Sequence, residues 1–73
     1  MLSPEKVRSY ILENLHCDHV SVEGDGAHFD AVIVSADFRG KSRVQQHKMV
    51  YDALKGNMGG ALHALALQTS APD

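Results

Sequence analysis

Hydrophobic positions recur along this chain with two different periods, and the changes between them mark its elements. Val7, Ile11 and Leu15 fall four apart, with Tyr10 and Leu12 beside them, which is the stripe of an amphipathic helix. At its start Ser3 offers a side-chain acceptor to an exposed backbone N–H, and Pro4 loses nothing at the first helical position. Leu2 and Val7 have the spacing of a hydrophobic staple, and the helix is expected to fade near His16. Over residues 19–23 the period becomes two: Val20 and Val22 alternate with His19, Ser21 and Glu23, a half-buried strand. Gly24-Asp25-Gly26 predicts a tight hairpin turn, because glycine tolerates the positive φ that such a turn needs. Phe29 to Ser35 predicts a second, antiparallel strand, and its run Ala31-Val32-Ile33-Val34 is apolar on both faces, as suits a central strand.

Ala36 to Lys41 reads as a loop. Ser42 with Gln45 three residues later forms a capping-box pattern, and Val44, Val50, Tyr51 and Leu54 are expected to form the buried face of the helix that follows. Gly56, Gly59 and Gly60 break that helix, and Met58 can anchor one short helical turn among them. Leu62 to Gln68 predicts a third strand, with Leu65 and Leu67 on one face and Ala64 and Ala66 on the other, where the alanines suit close approach of a helix. The predicted order is α-β-β-α-(α)-β. Two helices over one face of a three-stranded mixed sheet make a two-layer α+β fold, a single domain over residues 1–73.

Size sharpens this picture. A chain of 73 residues buries only about 60% of its unfolded surface, which favours a binding or carrier module over an enzyme with a deep cleft. The sequence has no nucleophile turn with its base and acid, no phosphate loop and no paired carboxylates in a plausible pocket, so it does not read as an enzyme. No apolar run approaches a membrane span and no leader pattern opens the chain, so a cytoplasmic protein is expected. Cys17 is the lone cysteine and cannot form an internal disulfide. Net charge is −2, but Arg39, Lys41, Arg43, Lys48 and Lys55 crowd into residues 39–55 with Asp52 as the one acid there. That segment carries +4 and the remainder −6, a polarity that can orient a charged partner or simply solvate a helix.

The stretch GDGAHFDAVIVSADFRGKS and the terminal HALALQTSAP, taken in this order and spacing, resemble the BolA-like proteins, in particular an acid-stress branch of the bacterial members. The resemblance covers nearly the whole chain and implies a BolA-like fold, similar to a class II KH domain. It departs from the family pattern in the second helix, where the usual Arg-His pair reads Gln46-His47. The family pattern also usually continues beyond Thr-Pro with an acidic, tryptophan-containing segment and a basic helix, where this sequence reads Ser70-Ala71-Pro72-Asp73. The resemblance implies two activities: partnership with a monothiol glutaredoxin and glutathione through a shared 2Fe–2S cluster, and stress-linked DNA binding. The chain without its partner is expected to be a monomer or a weak homodimer.

The resemblance implies His63 as the cluster ligand near the C-terminus. A neutral imidazole at a strand mouth can bind iron without breaking the ladder; the bland alternative is a histidine bonded to backbone. His28, after the hairpin turn, stands where the family has a second His or Cys ligand, although loop histidines are commonly just exposed polar residues. Cys17 and His47 are further ligand candidates, each with a plainer alternative: a small buried hydrophobe for Cys17 and a packed helix histidine for His47. His16-Cys17-Asp18-His19 superficially looks like a metal tract, but adjacent ligands rarely close a tetrahedron. Arg39, Gly40, Lys41, Arg43 and Lys48 form the candidate surface for nucleic acid or an acidic partner. The Gly-x-x-Gly clamp of KH folds is missing there and aromatic residues are few, which argues against sequence-specific single-strand recognition. A third reading is an adaptor whose five histidines change charge at about pH 6–7.

Overall fold

The computed structural model describes residues 3–25, 27–54 and 64–72. The expectations for Leu2, Gly26, Lys55, the glycine-rich break with Met58, and His63 lie outside the described residues.

Helix α1 spans Pro4–Asn14. Ser3 caps it from an extended backbone, its Oγ accepting from Lys6 N at 3.2 Å. Val7 and Ile11 are wholly buried, and Leu15 packs against the core from the extended residue that ends the helix. Leu12, expected beside the stripe, is solvent-exposed. Strand β1 is His19–Gly24 and strand β2 is Phe29–Val34, paired antiparallel. A short 3-10 helix, Ala36–Phe38, interrupts what the sequence suggested was a plain loop, and it delivers the Phe38 ring to the core.

Helix α2 spans Arg43–Leu54. Its capping box is complete: Ser42 N donates to Gln45 Oε1 at 2.8 Å and Gln45 N donates to Ser42 Oγ at 3.2 Å. Its buried residues are Val50, Ala53 and Leu54. Val44 is 78% exposed and Tyr51 37%, so these two do not belong to the buried face that the spacing suggested. Strand β3 is Leu65–Ser70, beginning and ending later than expected because it runs in continuous parallel register with β2, from Phe29↔Leu65 to Val34↔Ser70.

The sheet order is β1-β2-β3, mixed, with β2 central. Phe29, Ala31 and Ile33 of β2 point into the core with Val20 and Leu65, while Asp30, Val32 and Val34 lie on the open face. The leucines of β3, not the alanines, face the helices: Leu65 is buried, Leu67 packs on the core and Ala66 is exposed. A leucine face removes more apolar surface from water than an alanine face does. Helix α1 packs over β1, α2 packs over β3, and the two helices pack on each other. Asn14 Nδ2 joins the helices by donating to the Tyr10 and Ala53 carbonyls at 3.0 and 3.1 Å. No described helix is long and apolar enough to cross a membrane.

Candidate functional site

Because β2 and β3 are parallel, both begin at the same end of the sheet, on the rung Phe29↔Leu65. His28 immediately precedes that rung and is exposed. Its main chain is held on both sides: His28 N donates to Asp25 Oδ1 at 3.0 Å, and its carbonyl accepts from Asp25 N at 3.2 Å. Asp25 Oδ1 also accepts from Ala27 N at 2.9 Å. These donors, His28 first and then Ala27, hold the Asp25 carboxyl below the usual carboxylate range. The hairpin tip is thus an Asx turn that fixes the backbone of a candidate ligand. Gly24 serves the same turn through space rather than through an unusual φ: a Cβ there would collide with the His28 carbonyl and approach Phe29 Cδ1 to 2.7 Å. His63, two residues before Leu65 in the sequence, lies outside the described residues.

Cys17 is not brought to this end. His19 pairs with Val34, so Cys17 lies where β2 finishes, about 17 Å away along the strand from where it starts. Its Sγ donates to the Leu15 carbonyl at 3.6 Å. Partial burial, then Asp37 and Asp18, push its thiol pKa up against the opposing effect of Arg8. Its position at the far end of β2 separates Cys17 from His28. Neighbouring His16 is tied through its backbone, its N–H donating to Asp37 Oδ2 at 3.3 Å and its carbonyl accepting from Ser35 Oγ. Among the described residues no group of three or more His, Cys, Asp or Glu is placed to hold a metal ion.

The basic turn has a definite geometry. Lys41 N donates to the Phe38 carbonyl at 3.1 Å, Arg39 sits at φ −60° and ψ 133°, and Gly40 has φ +74°. This is a type II turn, which requires glycine at its third position. The Phe-x-Gly pattern therefore has a structural role: Phe38 anchors the turn in the core and Gly40 lets the chain reverse. Arg39, Lys41 and Arg43 are exposed. Lys48 Nζ lies 3.3 Å from Asp52 Oδ2, a solvent-exposed pair one helical turn apart, worth about 0.5 kcal/mol or less.

Two features escaped the sequence reading. Gln46 bolts α2 to the turn and to β3, through Lys41, Phe38 and Thr69. A cleft of about 340 Å³ lies between Arg43 and His47 of α2 and Leu67, Gln68 and Thr69 of β3. The four-residue spacing of Arg43 and His47 put them on one helix face, but nothing in the sequence placed that face over a sheet edge. His47 thus faces the middle of β3, Leu67–Thr69, rather than the Phe29↔Leu65 rung that follows His28.

The BolA-like protein family matches residues 2–73. The chain belongs to the BolA-like family. Its relatives in that family include human BolA-like protein 1, 39% identical over 71 residues, a match covering 97% of this chain and 50% of the human protein. The DNA-binding transcriptional regulator BolA of Haemophilus influenzae is 40% identical over 62 residues, covering 85% of this chain and 60% of that protein. The chain thus spans about half the length of human BolA-like protein 1. The solved structure of a BolA homologue from Coxiella burnetii superposes with a TM-score of 0.87 at 38% identity, over 100% of this chain and 95% of that one. The BolA-like fold expected from the sequence is the fold observed.

Proposed function

We propose that this BolA-like chain is a non-enzymatic, cytoplasmic iron–sulfur partner protein. It binds a monothiol glutaredoxin and contributes His63, together with His28, to a 2Fe–2S cluster bridging the two proteins. The observation that supports this reading is the Phe29↔Leu65 rung. In the sequence His28 stands one residue before Phe29 and His63 two residues before Leu65. His28 fits a ligand role because it is exposed while its backbone is pinned by Asp25, which reduces the entropy lost on coordination. A shared cluster asks only part of its ligand set from this chain; thiolates of the glutaredoxin and its glutathione supply the rest. When bound, such a cluster supplies transferable iron–sulfur and one-electron chemistry, with imidazole ligation raising its potential relative to all-thiolate sites.

The test is anaerobic cluster reconstitution with a monothiol glutaredoxin and glutathione, read by visible absorption and circular dichroism. A spectrum distinct from that of the glutaredoxin alone, reverting with His63→Ala and altered by His28→Ala, supports the proposal. An unchanged spectrum with His28→Ala removes that residue from the ligand set. If the chain neither alters the spectrum nor comigrates with the cluster, the proposal fails.

A second reading is a stress-linked regulator that binds duplex DNA through Arg39, Gly40, Lys41, Arg43 and Lys48. It is favoured by the exposed basic turn and by the DNA-binding role in the name of the Haemophilus influenzae relative. It requires affinity that falls steeply with salt, with a slope set by the phosphates contacted. Salt-insensitive binding, or equal binding to any acidic polymer, contradicts it.

A further inference from the structure

We propose that the groove between α2 and the free edge of β3 receives an extended acidic segment of a partner protein, added as a fourth strand beside β3 with a carboxylate against Arg43. None of the residues lining the groove is a proposed cluster ligand: it lies beside Leu67–Thr69, the third to fifth residues of β3, past the Phe29↔Leu65 rung.

The first observation is the edge itself. In the order β1-β2-β3, both β1 and β3 have one side without a strand among the described residues. Natural edges are blunted by charges, proline, bulges or cover. The β1 edge carries Glu23 and His19, and its Val20 carbonyl already accepts from Arg8 Nε at 3.2 Å. Strand β3 reads Leu-Ala-Leu-Gln-Thr-Ser, with no charge, no proline and an unbroken register. Its edge is left competent for main-chain pairing.

The second observation is the wall beside it. Helix α2 turns Arg43 and His47 toward the cleft of about 340 Å³. Val44 and Tyr51 lie three residues before and four after His47, hence on the same side of the helix, and both are exposed. An open ladder next to apolar side chains and a cation is what strand addition uses: main-chain bonds for affinity, side-chain contacts for choice of partner.

Charge selects the occupant. The one ion pair among the described residues is Lys48–Asp52, no described carboxylate pairs with Arg43, and Arg39 and Lys41 just before it carry the same sign. A carboxylate on the added strand can pair with the Arg43 guanidinium. A second copy of this chain fits less well. The β3 edge of a second copy, Leu65–Ser70, carries no acidic side chain to meet Arg43. A nucleic acid would find His47 as the one ring among the described residues that line the groove, and little else to stack on.

The experiment is a heteronuclear NMR titration of the isotope-labelled full chain. The probe is the blocked peptide Thr-Val-Glu-Val-Asp-Val-Thr. Its controls are the same peptide with Gln and Asn for the acids, and an oligothymidine of matching length. The expected result is amide shifts confined to Leu67–Thr69 and the Arg43–Tyr51 face, saturating by about 1 mM peptide. Both the neutral peptide and Arg43→Glu should weaken binding about tenfold or more. Val44→Glu, at an exposed position, gives an independent variant that should also weaken it. Absence of shifts overturns the proposal, as do shifts centred elsewhere. Stronger binding of oligothymidine at the same amides makes the groove a nucleic-acid site instead. Sedimentation as a dimer whose β3 amides are protected without peptide assigns the edge to a second copy.

Discussion

The hydroxyl of Thr69 donates to Oε1 of Gln46 at 2.6 Å, joining β3 to α2 across the two layers. The other end of the same amide donates to the Lys41 and Phe38 carbonyls at 3.0 and 3.4 Å. One side chain therefore holds the basic turn, the start of α2 and the end of β3 together. Gln46→Ala should lower the unfolding free energy by about 0.5–1.5 kcal/mol, because it leaves the partly buried Thr69 hydroxyl without its acceptor, while the Phe38 carbonyl keeps Lys41 N and the Lys41 carbonyl is open to water. Gln46→Arg, which restores the basic residue of the family pattern, keeps donors for the carbonyls but cannot accept from Thr69, and should cost less. Urea unfolding measures this as a lowered midpoint with unchanged m. A midpoint unmoved by Gln46→Ala would show that the network adds nothing.

Two glycines should respond to alanine for different reasons. At Gly40 a Cβ meets nothing within 4 Å, but φ is +74°, so Gly40→Ala should cost about 1–2 kcal/mol of backbone strain, and Gly40→Asn less. At Gly24 the φ is ordinary but a Cβ runs into the His28 backbone and the Phe29 ring. Gly24→Ala should cost about 1–3 kcal/mol, with Asn giving no relief, because the obstacle is steric. The hairpin tip should move as well, seen as shifts of the Asp25, Ala27 and His28 amides. Relief by Asn at Gly24, or none at Gly40, would reverse the assignment.

The parts of the fold that depend on local chemistry were legible from the residues. Ser3-Pro4 announced α1, and Ser42 with Gln45 announced α2, since a capping box is closed within four residues. Alternation of Val20 and Val22 marked β1, and the doubly apolar run marked β2 as central. What failed depends on neighbours distant in sequence. Val44 and Tyr51 are apolar residues on a helix, and only the position of α2 over β3 determines that they stay exposed. The bounds of β3 are set by its ladder to Phe29–Val34, not by its own composition. The family pattern offered His28 as a candidate ligand, but the pinning of its backbone by Asp25 was not legible in the sequence. The groove was not legible at all, because its two walls are some twenty residues apart in the chain.

Acid should loosen the hairpin tip. The Asp25 carboxyl is held below its ordinary pKa by the N–H groups of His28 and Ala27, so folding favours the ionised form. The contribution is fully present above the unfolded carboxylate pKa of about 3.9 and is lost as pH falls through the lower folded value. The amides of Ala27 and His28 should therefore shift together below about pH 4. Asp25→Asn keeps an acceptor that does not titrate, and should abolish that transition. If both amides keep the same low-pH transition in Asp25→Asn, another group is responsible.

Ser35 and Asp37 should prove energetically coupled through His16, a residue neither adjoins in sequence. Ser35 is fully buried; its Oγ donates to the His16 carbonyl and accepts from Asp37 N at 3.1 Å. Asp37 Oδ2 accepts from His16 N at 3.3 Å, so both sides of the His16 peptide are held by one short stretch after β2. Ser35 N also donates to the Ser70 carbonyl at 3.0 Å, extending the tie to the end of β3. Ser35→Ala should cost about 1–3 kcal/mol, leaving the His16 carbonyl without its hydroxyl. Asp37→Ala alone should cost less, since its bond is exposed. Because either loss frees His16 to move, the double variant should depart from additivity by about 0.5 kcal/mol or more. Cys17 supplies a second readout. Its thiol pKa is raised by burial and by Asp37, so the folded chain should alkylate slowly near neutral pH, with half-maximal rate above the ordinary thiol value of about 8.5. Folding favours the protonated thiol, so its contribution to stability is whole below the unfolded pKa and is lost as pH rises through the folded one. Ser35→Ala should accelerate alkylation by loosening the segment, and Asp37→Ala should also lower the midpoint by removing a repelling charge. Additive energies together with an unaltered alkylation profile would mean that the three positions act independently.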